Sequence, residues 1–198
     1  MDRSRLEAFS DGVFAVAITL LALNLIVARP GRHDTLLHQL GTHWPVFVAY
    51  LISFFIIGIV WVNHHVLVRS ITAVDRMLLF LNLVLLLFVV LIPFATATLA
   101  EYLRAGGSDS HVAAALYAFV SLGMGLAFAM MFLWSSRHGH FRTALDPSTR
   151  RHAFVRFSIG NLAYLLAIGL AFVSAWLTLV IVALVAIYYS FEQLAVAN

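Results

Sequence analysis

The sequence contains no cysteine and no lysine, and only 11% of its 198 residues are charged. Without cysteine the chain has neither disulfides nor thiolate chemistry, so cysteine usage says nothing about its redox compartment. Because lysine is absent, all 12 basic residues are arginines. The arginines stand at the ends of apolar runs and form no single patch, which argues against a nucleic-acid partner despite the net charge of +3.

The low content of charged residues is accompanied by long apolar runs. Hydrophobic residues make up 63% of the chain, whereas a soluble domain has roughly 45–50% apolar and about 25% charged residues. A run of about 20 apolar residues can cross a hydrocarbon core about 30 Å thick. Six such runs predict an all-α integral membrane protein with six transmembrane helices, a single domain over residues 1–198. The runs cover 6–27, 45–68, 77–100, 112–134, 154–174 and 176–194, with a tight hairpin expected at Ser174-Ala175.

The placement of the arginines predicts the orientation. If the N-terminus is cytoplasmic, nine arginines lie on the inner side and only Arg29, Arg32 and Arg104 on the outer side. Loops on the cytoplasmic side of membrane proteins carry such an excess of basic residues. Both termini are therefore expected in the cytoplasm.

The first apolar run begins with charged residues. Residues 5–11 read RLEAFSD and continue directly into GVFAVAITLLAL at 12–23. An aspartate near the centre of a membrane helix costs about 2.5–3.5 kcal/mol, so ionisable groups at such a position usually face protein or water. The pattern formed by Arg5, Phe9, Ser10 and Asp11 before GVFAVAITLL resembles the signature of the transmembrane protein 175 family, the bacterial and lysosomal potassium-permeable channels.

The resemblance implies one subunit of a homotetrameric, potassium-permeable cation channel of the bacterial plasma membrane, with the first helix lining a central pore. Its expected partners are potassium and other monovalent cations, the lipid bilayer and further copies of the chain, with protons as an additional candidate. No cofactor, metal or nucleic acid is expected. The sequence has no Thr-Val-Gly-Tyr-Gly filter loop, so selection by a cage of carbonyls is excluded and side chains must select the ion.

One stripe of the first helix is the candidate constriction. Gly12, Val16, Leu20 and Leu23 step by four, four and three residues onto one face, with Thr19 beside them. From spacing alone, a lipid-facing or packing surface is the commoner explanation. The resemblance implies instead that Val16, Leu20 and Leu23 form stacked rings around a four-fold axis, and that the first ring and Thr19 govern selection. Val16 stands where the family commonly has Ile or Leu, which predicts a wider, less selective pore.

Polar side chains of the first three predicted helices fall at one depth near the inner side, where the resemblance implies that they brace the pore helix. Together with the signature they comprise Arg5, Phe9, Ser10, Asp11, Trp61, His64, His65, Asp75 and Asn82. A buried Arg5–Asp11 or Arg5–Asp75 pair is expected to fix their geometry. Adjacent histidines on a helix point about 100° apart, so His64 and His65 are not expected to share a metal.

Two other function classes compete with the channel. A secondary transporter would use Asp11, Asn82 and the histidines as an intramembrane relay, but inverted repeats and broken helices are not visible. A membrane enzyme would need a nucleophile, a metal-ligand set or a phosphate-binding loop beside the histidines, and none is recognisable. His138, His140 and His152 fall in the main inner connection, where they are expected to be ordinary loop residues.

Overall fold

A computed structural model describes residues 3–23, 25, 35–143 and 145–191. Within these residues the chain forms seven α-helices: α1 (Arg3–Ala22), α2 (Leu36–Thr42), α3 (Trp44–Ser70), α4 (Arg76–Ala105), α5 (Asp109–Arg137), α6 (Pro147–Ala171) and α7 (Ala175–Phe191). The all-α fold class is confirmed.

Six of these helices coincide with the six predicted segments. Four of them, α3 to α6, are long and apolar enough to cross a membrane, and α7 is an apolar helix of 17 residues. The predicted hairpin is confirmed, because α6 ends at Ala171 and α7 begins at Ala175. The predicted ends of the first and last segments, at residues 27 and 194, lie outside the described residues, as do Arg29 and Arg32.

Two boundaries differ from the sequence prediction because of capping. The short helix α2 was not predicted; it is capped by Thr35, whose hydroxyl accepts a hydrogen bond from the His38 amide at 3.3 Å. Helix α6 begins seven residues before the predicted run. Asp146 caps its first turn by accepting the Thr149 amide at 2.8 Å, and Pro147 occupies the first helical position. Such caps satisfy amides that apolar periodicity does not register.

Helix α5 lies at the centre of the bundle, packed against α4, α6 and α7, whereas α1 packs mainly against α3 and α4. Small residues allow the close approaches. The ring of Phe88 on α4 occupies the space that a side chain at Gly123 would fill, and Tyr189 on α7 does the same at Gly160. Membrane helices use glycine in this way to bring neighbouring helices together. The packing leaves one long face of α1 uncovered.

Candidate functional site

Helix α1 has two faces of different character. Its buried face carries Leu6, Ser10, Phe14, Ala17 and Leu21 against α3 and α4. The opposite face is open along the whole helix: Phe9, Val16, Leu20 and Leu23 are 53%, 55%, 37% and 64% exposed. Gly12 and Thr19 are exposed on the same side. The described residues of one subunit therefore leave the candidate stripe without a partner surface.

The hydroxyl of Thr19 is held by its own helix. It donates a hydrogen bond of 2.8 Å to the carbonyl of Val16, one turn earlier. Since the hydroxyl hydrogen is occupied, the oxygen lone pairs are the part of the group that remains available on the exposed face. This arrangement suits contact with a cation.

A buried polar network fastens the back of α1 to α3 and α4. Asn82 donates from Nδ2 to the Ser10 hydroxyl at 3.0 Å and accepts, at Oδ1, a hydrogen bond from His64 Nε2 at 2.8 Å. Ser10 and His64 are completely buried and Asn82 is 2% exposed. Because Asn82 Oδ1 can only accept, His64 carries its proton on Nε2. The ring of Phe14 lies 5.4 Å from that of His64 and covers the network on the side of α1.

Asp11 belongs to a separate contact nearer the surface. Its Oδ1 accepts a hydrogen bond of 2.8 Å from the Trp61 indole. The Trp61 ring in turn lies 5.9 Å from that of His65. Neighbouring histidines therefore serve different partners, His64 inside the bundle and His65 towards its edge, as their angular separation on a helix requires.

Glu7 was missed by the sequence prediction, although it lies on α1 at the depth of His65. Its Oε1 lies 3.1 Å from His65 Nδ1 and 3.5 Å from Arg69 Nε. Arg3, one turn earlier, donates to the backbone carbonyls of Arg69 and Ile71 at 3.2 and 3.4 Å. An arginine at these carbonyls satisfies acceptors that the end of α3 leaves open. The start of α1 is thus tied to the end of α3.

Within the described part of one subunit, Arg5 does not form the ion pairs considered from the sequence. Arg5 is exposed, and among the described residues no ion pair joins it to Asp11 or Asp75. Arg5 and Phe9 both lie on the open side of α1, whereas Asp11 turns to Trp61. Asp75 is the capping residue in front of α4 and contacts Trp134 and His140, so it does not join the network of Asn82.

Asp75 forms a second polar cluster, away from α1. It accepts the Leu78 amide at 2.7 Å and the Trp134 indole at 2.9 Å, and its Oδ2 lies 3.5 Å from His140 Nε2. Burial raises the pKa of Asp75, but the bonds from Leu78 and Trp134 outweigh burial and hold the pKa below its usual value. The rings of His140 and His138 act in the same direction. His140 is therefore not an ordinary loop residue.

A cleft in the described part of the chain lies elsewhere. It is lined mainly by apolar side chains of α3, α5, α6 and α7, with none from α1. The uncovered face of α1 is therefore a surface of the subunit and no part of this internal cleft.

Comparison with known proteins gives one consistent relationship. The family described as "Endosomal/lysosomal potassium channel TMEM175" matches residues 5–93. A potassium channel of Streptomyces collinus is 48% identical over 98% of this chain and 95% of its own length. The endosomal/lysosomal proton channel TMEM175 of Gallus gallus is 31% identical over 78% of this chain, which spans 33% of that protein.

A solved structure agrees with the sequence comparison. The crystal structure of a lysosomal potassium-selective channel TMEM175 homolog from Chamaesiphon minutus superimposes with a TM-score of 0.82 at 34% identity, covering 96% of both chains.

Proposed function

The chain belongs to the TMEM175 family, and we propose that it forms a potassium-permeable cation channel in which the open face of α1 lines the pore of a homotetramer. The observation that carries the proposal is the two-sided character of α1. One side is anchored by Ser10, Asn82 and His64, all buried, while the other is mainly apolar and is not covered by any of the helices that the structure describes. Four copies arranged around an axis would cover that face and turn its side chains towards the pore.

The stripe supplies a mechanism for ion passage. Rings of Val16, Leu20 and Leu23 around a four-fold axis would form an apolar neck, and such a constriction gates by dewetting. Selection then depends on the radius of the neck and on how far an ion must lose its hydration shell. Thr19, whose oxygen remains available on this face, would replace part of that shell. Protons are a further candidate ion, since the related protein of Gallus gallus is named a proton channel.

The transporter is the second candidate, because a titratable histidine lies in the buried Ser10–Asn82–His64 network. The geometry favours the channel. Asp11 would have to belong to the relay, yet its carboxylate bonds to Trp61 while His64 bonds to Asn82. A chain of proton carriers needs its members within hydrogen-bond reach of one another. The proposed relay thus falls into two separate contacts.

Ion flux through reconstituted liposomes tests the function directly. We expect passive potassium flux that follows the electrochemical gradient, persists without a gradient of any second ion and does not saturate as a carrier does. Liposomes without protein give the background. Flux that saturates and stops when the proton gradient is removed would indicate the transporter.

Selectivity is expected to depend on Val16 and Thr19 together. Val16→Ile adds one methylene in each of four subunits and narrows the neck, so the potassium-to-sodium permeability ratio rises or the total current falls. Thr19→Ala removes the hydroxyl and lowers the ratio without closing the pore. One hydrogen-bonding group of this kind contributes about 1 kcal/mol, which corresponds to about a fivefold change in the ratio. Reversal potentials in bi-ionic potassium and sodium solutions provide the measurement; if neither variant shifts them, the ion is selected elsewhere.

Arg5 is expected to act between subunits, because it lies on the open side of α1 and forms no ion pair among the described residues. Arg5→Ala should shift the tetramer towards smaller species in detergent while leaving the helix content of each subunit unchanged. Size-exclusion chromatography with light scattering measures this. Arg151→Ala, which removes another exposed arginine, this one from α6, is the matched control. If both variants assemble equally well, Arg5 does not contribute to the interface between subunits.

The end of the bundle where α1 begins supports an assignment of the orientation in the membrane. The connection between α3 and α4 and that between α5 and α6 lie side by side, with the start of α1 beside the first of them. This grouping supports a single arginine-rich side, which we assign to the cytoplasm of a bacterial cell with both termini on it.

A further inference from the structure

Two connections meet at the end of the bundle where α1 begins. Residues 71–75 link α3 to α4, and residues 138–141, the histidine loop, follow α5. Backbone hydrogen bonds join them: the Thr72 amide donates to the His140 carbonyl at 2.8 Å, and the Arg142 amide donates to the Ser70 carbonyl at 2.9 Å. Ile71 and Phe141 pair as an isolated antiparallel bridge. Elements far apart in sequence are thus held in one fixed register.

A titratable contact lies within this junction. His140 Nε2 lies 3.5 Å from Asp75 Oδ2, and the side chains of His140 and Asp75 are 10% and 39% exposed. The Trp134 indole donates to the same carboxylate oxygen at 2.9 Å. His138 stacks on the Trp134 ring at 3.8 Å between centroids and lies 6.1 Å from the ring of His140. Two imidazoles, one indole and one carboxylate therefore share a single site.

The other side of residues 71–75 carries the pore helix. Arg3, the first described residue of α1, donates to the Ile71 carbonyl at 3.4 Å and to that of Arg69 at 3.2 Å. Ile71 is therefore bound by α1 on one side and paired with the histidine loop on the other. A change in how tightly the histidine loop holds this segment reaches α1 through one shared stretch of backbone.

We propose that the histidine loop is a pH-sensitive clasp, in which protonation of His140 strengthens its contact with Asp75 and thereby positions the Arg3 end of α1. The clasp rests on the proposed channel function, since its purpose is to place the pore-facing helix. His140 acts through Asp75 and residues 71–75 and is a positioning residue.

The charges around His140 decide the sign of the effect. Asp75, from the segment between α3 and α4, is the facing anion, and His138, from the end of α5, is the facing imidazole. Protonated His140 forms an ion pair with Asp75, whereas neutral His140 offers only a hydrogen bond. A protonated His138 opposes the charge of His140 but is stabilised by lying over the Trp134 face. Asp75 lies within ion-pair distance of His140 and attracts its positive charge, so lower pH tightens the clasp.

The test is potassium current through the full-length protein in planar bilayers, with pH stepped from about 8 to about 5.5 on each face in turn. A partly exposed ion pair can change the ratio of two channel states by up to about fivefold. When the pH is stepped on the face that bears the clasp, we expect the current to change two- to fivefold, about the size that such an ion pair allows. His140→Gln, which keeps a donor for Asp75 but takes up no proton, should lose at least half of this response.

Matched controls separate the clasp from general effects. His152→Gln removes an exposed histidine from α6 and should keep the full response. Asp75→Asn and Asp146→Asn both alter an aspartate that caps a helix, and asparagine caps equally well, yet only Asp75→Asn should lose the response. An undiminished response in His140→Gln, or an equal loss in His152→Gln, overturns the clasp.

A second measurement keeps the clasp distinct from the channel function. The melting temperature in detergent is measured at about pH 8 and at about pH 5.5 for the wild type and for His140→Gln. The change on going to the lower pH should be more favourable to the folded state in the wild type than in the variant. If the wild type conducts no potassium, the proposed function fails, and this comparison alone decides whether the clasp exists. Identical pH dependence of melting in both proteins rejects it.

Discussion

Leu20→Asn is expected to raise potassium conductance about tenfold or more and to bring the potassium-to-sodium permeability ratio close to one. Leu20 lies on the open face of α1 between Val16 and Leu23, so a four-fold assembly would place four new amides at the centre of the neck. Amides hold water, and a hydrated neck lowers the barrier that dewetting imposes. Each ~1.4 kcal/mol removed from the barrier raises the rate about tenfold. Single-channel currents in symmetrical potassium solutions measure the effect.

Leu165→Asn is the matched control for this variant. Leu165 lies on α6 and is 53% exposed, so the same substitution changes a surface leucine on a helix to which no pore role is assigned. It should leave the current unchanged. If both variants assemble normally and conduct alike, the stripe on α1 faces lipid, and the transfer of the family's pore positions to this chain is wrong.

Asn82→Ala is expected to lower the free energy of unfolding by about 1–3 kcal/mol for each buried partner that it leaves without a hydrogen bond. Asn82 alone joins Ser10 of α1 to His64 of α3. Both partners are completely buried, so water does not replace the lost bonds. The melting temperature in detergent should fall sharply, and the anchored face of α1 should exchange amide hydrogen faster than in the wild type.

Asn161→Ala offers a comparison with the same chemistry in a different setting. The side-chain oxygen of Asn161 is buried and has no hydrogen-bond partner within the described residues. Its removal takes away an acceptor that was already unsatisfied, so stability should change by less than about 1 kcal/mol. Equal destabilisation by the two variants would mean that the Ser10–Asn82–His64 network contributes no more than the volume of one side chain.

The helices of this protein could be predicted from sequence because their signals are local. The length of an apolar run can be read directly from the sequence, and about 20 residues are needed to cross a membrane. The two faces of α1 can be predicted in the same way. A period of 3.6 residues places Val16, Leu20 and Leu23 on one side of the helix and Ser10, Phe14 and Leu21 on the other. The family signature lies in the same stretch.

The partners of the polar residues could not be predicted from the sequence in this way. The sequence placed Arg5 beside Asp11 or Asp75, whereas the structure pairs Asp11 with Trp61 and brings Asp75 to Trp134 and His140. Asp75 and His140 are separated by all of α4 and all of α5, and nothing in the intervening residues marks them as neighbours.

The division has a physical reason. Sequence by itself determined the membrane class, the six long helices and the family. It also determined which residues of α1 share a side, because a helix repeats every 3.6 residues whatever surrounds it. Only the tertiary structure decided which polar groups meet, because that depends on how far one helix is shifted along and rotated about its neighbour. A shift of one turn, about 5.4 Å, replaces every partner across the interface. Close packing at residues such as Gly123 fixes that shift.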